Sequence, residues 1–122
     1  MQSSLHGKAI LIVNDDSDIA KLFADGLEHA GFRSKICSDS LSAVDIIRTN
    51  PNQFSLVLID KTSQQDTDFP KQTKRINNQL KVVLASAFAF IDAEISNSDY
   101  DKILQLPITM SKLISTMKEV LG

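Results

Sequence analysis

The 122 residues hold one cysteine, no marked excess of either charge and no long apolar run, and each lack removes a class of protein. Cys37 alone excludes an internal disulfide and any multi-cysteine metal site. Its place in the alternating stretch from Phe32 to Cys37 marks it as a packed strand residue, not a reactive thiol. A formal net charge of -2 gives no positive field, so neither nucleic acid nor an anionic membrane is the expected partner. No apolar run approaches the roughly 18 residues of a membrane span. The start, Met1-Gln2-Ser3-Ser4, carries no signal-peptide hydrophobic region, and the expected location is the cytoplasm. Repeats, linkers and low-complexity segments are missing, and no glycine-rich phosphate loop follows the first aliphatic run.

What is present suits one globular domain. A hydrophobic fraction of 43% and a charged fraction of 23% are ordinary for a soluble fold, and the length supports a single core. The expected organisation is one domain over 1–122 with no output domain.

Two aliphatic runs stop abruptly on acidic residues. Leu56-Val57-Leu58-Ile59 ends on Asp60, and Ala9-Ile10-Leu11-Ile12-Val13 ends on Asn14-Asp15-Asp16. Such runs read as strands buried on both faces. After the first, Ile19, Leu22, Phe23, Leu27 and Ala30 recur at helical spacing, with Asp16 or Ser17 as N-cap and Gly31 as the stop. Phe32 to Cys37 alternates as an edge-side strand would. Asp39 or Ser40 caps a second helix carrying Leu41, Val44, Ile46 and Ile47, which Asn50-Pro51 ends. Beyond Asp60 a polar loop leads to Pro70, which suits the first turn of a helix with Phe69, Thr73 and Ile76 inward.

Lys81 to Ala85 reads as a fourth strand, Phe88 to Ser96 as a short helix, and Lys102 to Leu106 as a fifth strand stopped by Pro107. Leu113, Ile114, Met117, Val120 and Leu121 predict a final amphipathic helix capped by Thr109 or Ser111. Five alternating units imply a parallel sheet with helices on both faces. The chain is too short for an eight-unit barrel, so the expected fold is an open, doubly wound α/β sheet of five strands.

In such a sheet the loops after the first, third, fourth and fifth strands meet above one edge. They bring together Asn14, Asp15 and Asp16, then Asp60 with Lys61 and Thr62, then Ser86, then Leu106. Clustered oxygen ligands suit a hard cation such as Mg2+, and a carboxylate beside it can act as a nucleophile toward a phosphoryl group. Asp15 and Asp16 precede a helix, where either carboxylate taken alone is explained by capping. Asp60 follows four aliphatics directly and has no capping role evident in the sequence.

From Lys8 to Leu121 the chain resembles a response regulator receiver domain of two-component signalling, which has a flavodoxin-like (βα)5 fold. The resemblance rests on Ile-Leu-Ile-Val-Asn-Asp-Asp, Ser-Leu-Val-Leu-Ile-Asp, Val-Val-Leu-Ala-Ser-Ala and Leu-Pro-Ile. It implies that Asp60 accepts a phosphoryl group from a histidine kinase in an Mg2+-dependent step. Asp15 then holds the metal, Thr62 lends it a backbone carbonyl, and the Ser86 hydroxyl turns to the phosphoryl oxygen. Such a domain is no enzyme, and it acts through a histidine kinase or phosphotransfer protein, a separate effector and, in some cases, a homodimer.

Departures from the pattern are equally specific. Asn14 stands where the acidic pair has its first carboxylate, which weakens the metal site. Leu106 replaces a lysine, Ile103 an aromatic switch residue, and Gln64 and Asp68 the usual proline and glycine. The alternative expectation is therefore a phosphorylation-independent module that uses the fold only for interaction or dimerisation.

Overall fold

The two aliphatic runs are the middle of the sheet. In the computed structural model, which describes residues 8–60, 68–86 and 100–122, the elements are β1 (Ala9–Val13), α1 (Ser17–His29), β2 (Arg33–Cys37), α2 (Ser40–Thr49), β3 (Leu56–Asp60), α3 (Phe69–Ile76), β4 (Lys81–Ser86), β5 (Lys102–Gln105) and α4 (Met110–Leu121). The expected helix over 88–96, and Lys61, Thr62 and Gln64, lie outside the described residues. All pairings are parallel and the order is β2-β1-β3-β4-β5. This is the doubly wound arrangement the alternation predicts, and the order reverses between β1 and β3, where such sheets open a crevice at their carboxyl ends.

Alternation along each strand divides the core. Ile10, Ile12, Leu56, Leu58 and Val83 face α1 and α4, while Leu11, Val13, Val57, Ile59 and Leu84 face α2 and α3. Nearly all of these side chains are fully buried, and each contributes about 1.5–3 kcal/mol relative to exposure. β2 lies at one edge and none of its residues is fully buried; the expected alternation breaks at Ile36, which is 38% exposed beside the exposed Lys35.

The helices begin and end where their capping residues require. Asp16 accepts from the N–H groups of Asp18 and Ile19, Asp39 from Ser42, and the Thr109 hydroxyl from Lys112. Gly31 follows α1 at φ 102, a conformation that favours glycine. Phe69 and Thr73 of α3 are fully buried, as their spacing predicts.

Three apolar residues depart from the expected inward positions. Ile19 and Leu22 of α1 are 38% and 62% exposed, and Leu41 of α2 is 78% exposed. The buried stripe of α1 is instead Ala20, Phe23, Ala24 and Leu27, a full i, i+3, i+4, i+7 set. Two alanines let the helix sit close to the sheet, and Ile19 and Leu22 are rotated off that face. On α2 the stripe is Ala43, Val44 and Ile47, which leaves Leu41 on the rim.

Entry into β5 is fixed by Asp101. Its N–H donates to the Val82 carbonyl at 2.8 Å, and its carboxylate accepts from the Val82 N–H at 2.8 Å and from Lys74 Nζ at 2.8 Å. Lys74 also donates to the Leu80 carbonyl, so α3, β4 and the start of β5 share one polar cluster.

Candidate functional site

Register brings the acidic turn to Asp60. Val13 of β1 pairs with Ile59 of β3, so Asn14 and Asp60 leave the sheet side by side. Asn14 is 4% exposed and tied in three directions. Its N–H donates to the Cys37 carbonyl of β2 at 3.0 Å, its Oδ1 accepts from the Asp16 N–H at 2.8 Å, and its Nδ2 donates to Asp60 Oδ2 at 3.0 Å. The Asp16 donor on one side and the Asp60 acceptor on the other fix the amide orientation, since a flip would face like groups to each other at both ends.

The neighbouring aspartates do different work. Asp16 is the α1 cap, the role predicted for a lone acid before a helix. Asp15 is exposed, and the same turn points no backbone donor at it. Burial pushes the Asp60 carboxyl above the ordinary carboxylate range; the Asn14 amide opposes this, and the negative charges of Asp15 and Asp16 add to it. Asp60 is thus a half-buried acid in a negative surrounding, the local chemistry that favours a cation or a proton.

The other strand ends complete the edge. Ala85 of β4 is the register partner of Asp60, so Ser86 lies one residue beyond it. Ser86 is buried, and its carbonyl accepts from the Leu106 N–H at 2.7 Å. Leu106 packs against the core under α1 and α4, and Ile103 against the opposite core. The Leu106–Pro107 bond is cis. Lys102 does not substitute for a lysine at Leu106: it starts β5 opposite Val83, two residues short of the Asp60 level, and its Nζ lies 3.4 Å from Glu119 of α4.

Among the described residues no group of three or more His, Cys, Asp or Glu side chains is placed to hold a metal ion. The oxygen of Asn14 is engaged by Asp16, and the amide presents hydrogen to Asp60 where a cation would present charge. Of the expected side-chain oxygen donors, this leaves only the carboxylates of Asp15 and Asp60 to face a hard cation. The sequence did not reveal Asn14 as a donor to Asp60. A signal was available, because Asn followed two residues later by a helix cap is the pattern of an Asx turn, which commits the Asn oxygen to the backbone.

No family model matches the chain. Relatives do, along nearly their whole length. The response regulator receiver protein CpdR of Brucella abortus is 26% identical over 121 residues, covering 93% of this chain and 97% of that one. The polar-differentiation response regulator DivK of Brucella anthropi is 26% identical over 119 residues, covering 94% and 97%. A CheY-like response regulator receiver domain protein from Methanospirillum hungatei is similar in structure, with a TM-score of 0.81, 25% identity and 94% coverage of each chain. The β2-β1-β3-β4-β5 order and the aspartate closing β3 go with those relatives: along nearly its whole length the chain is similar to response regulator receiver domains.

Proposed function

We propose that this receiver accepts a phosphoryl group on Asp60 from the histidine of a kinase or phosphotransfer protein, with Mg2+ assistance, and passes its state to a separate effector by protein contacts. The observation that carries the reading is the half-buried carboxylate at the carboxyl end of β3, beside the crevice between β1 and β3, with Asp15 adding negative charge. Asn14 holds Oδ2, which leaves Oδ1 to attack phosphorus. As the new O–P bond forms, the P–N bond to the donor imidazole breaks and its electron pair returns to the ring nitrogen. Bound Mg2+ would neutralise charge on the transferring phosphoryl oxygens; Asp15 and Asp60 would hold it, with the Thr62 carbonyl. Ser86 is the hydroxyl that would donate to the transferred group.

At Leu106 an ammonium contact is replaced by an aliphatic side chain. A charge-assisted hydrogen bond typically contributes about 1.5–3 kcal/mol, and the phosphorylated form lacks that contribution. Incubation with a small phosphodonor and Mg2+, followed by intact mass, tests the proposal. One phosphoryl adduct is expected, lost in Asp60→Asn and reduced in Asp15→Asn; no adduct from any donor overturns it.

A second reading, a module that binds partners regardless of phosphorylation, is favoured by the Asn14 bond to Asp60 and by the packing of Leu106 into the core. It predicts a partner retained equally by wild type and Asp60→Ala. Strict dependence on Asp60 rules it out.

A further inference from the structure

The exposed apolar side chains of α1 and of α2 lie on opposite faces of the sheet and carry opposite charge around them. On α1, Leu22 is 62% exposed and Ile19 38%. Asp18 and Asp25, both exposed, stand four residues before and three after Leu22, so helical spacing sets them beside it on one face. Lys21 lies on the far side of those aspartates from Leu22. α1 therefore presents an apolar knob with an acidic border.

Between α2 and α3 runs a groove of about 570 Å³, with Val44 and Ile76 among its lining and Leu41, 78% exposed, at its rim. Arg48 and Arg75 also line it, against the single carboxylate of Asp45. Asp45 lies 3.8 Å from Arg48 with both side chains in solvent, a pair that contributes little. Among the described residues no carboxylate pairs with Arg75. The groove is apolar with a basic border.

We propose that the α1 knob of one copy seats in the α2–α3 groove of a second copy, Leu22 against Leu41, Val44 and Ile76, with Asp18 and Asp25 facing Arg48 and Arg75. The occupant is a second copy because one chain carries both complementary surfaces. α1 packs on one core and α2 and α3 on the other, so a single molecule cannot satisfy itself. The contact joins different patches, which makes it head-to-tail: it grows into a ring or an open array and does not stop at a symmetric pair. Its area is small, so association is weak and concentration-dependent. Exposed charges at its border make it weaken as salt rises.

Sedimentation of the full chain over a range of concentrations, with two surface variants, tests this. Leu22→Lys removes the knob and keeps the groove; Arg48→Glu with Arg75→Glu reverses the groove border and keeps the knob. Each alone is expected to stay monomeric. Mixed, they are expected to form a one-to-one dimer that grows no further, because only one knob and one groove remain intact. Asp18→Lys with Asp25→Lys gives an independent knob variant, and circular dichroism checks that every variant is folded. A wild type that stays monomeric at every concentration overturns the proposal. So does association that survives in either variant alone, or a mixture that fails to dimerise.

Discussion

Asn14 occupies the position from which a cation would be expected to neutralise Asp60, and replacing it by aspartate separates the two roles. In Asn14→Asp the Asp16 N–H keeps its acceptor, so the change falls on the bond to Asp60 at 3.0 Å. A hydrogen bond to a charged group, with a net value of about 1.5–3 kcal/mol, is lost. In its place two carboxylates face each other at nearly that distance, which at an effective dielectric constant of about 20 costs up to about 5 kcal/mol. Solvent at the half-exposed Asp60 screens part of this, and the pair relieves more by sharing a proton.

The expected net loss for Asn14→Asp, with Mg2+ chelated and near neutral pH, is about 2–4 kcal/mol. For a domain of this length that lowers Tm by roughly 8–15 °C. Mg2+ should reverse the loss, because a third carboxylate joins Asp15 and Asp60. At a hundredfold excess over Kd a bound ion stabilises by about 2.7 kcal/mol. Wild type should move much less over the same titration, since the Asn14 amide already serves Asp60. Thermal melts of both proteins in chelator and across a Mg2+ series measure this. A variant that melts with wild type in chelator, or that ignores saturating Mg2+, would refute the reasoning.

Other perturbations have equally definite signs. Burial and the charges of Asp15 and Asp16 raise the Asp60 carboxyl, so the fold holds that proton more tightly than the unfolded chain and loses stability as pH rises past the ordinary carboxylate value. Asp60→Asn should melt higher than wild type near neutral pH, by about 0.5–1 kcal/mol given the partial exposure, and the two should converge in acid. Burial also pushes the Asp101 carboxyl up, but Lys74, the Val82 N–H and the charge of Lys81 outweigh it, so its contribution is present near neutral pH and lost as pH falls through the depressed value. Asp101→Asn should cost about 1–2 kcal/mol near neutral pH and little in strong acid, by chemical denaturation at both. Burial, helped by Asp39, pushes the Cys37 thiol up to about 11, so a thiol reagent should label it slowly near neutral pH and rapidly in denaturant. Fast labelling of the native protein would contradict its packing.

The sheet was legible because three of its strands, β1, β3 and β4, are runs of apolar residues that no helix period explains. Helix ends were legible too, since Asp39, Gly31 and Thr109 act within a few residues of themselves. The facing of α1 was harder to read. Ile19 and Leu22 are more hydrophobic than Ala20 and Ala24, but close approach to the sheet selects the small pair. At the site, the sequence identified which side chains gather but not how the amide of Asn14 is turned. That orientation follows from a backbone donor at Asp16 and an acceptor 46 residues away in sequence.

Asp101 has a consequence for how this chain can change. Because its backbone and carboxylate both grip Val82, and Lys74 grips it in turn, β5 takes its register from groups that belong to β4 and α3. One carboxylate thus couples the edge strand to α3, and a change that frees it loosens β5 and α3 together.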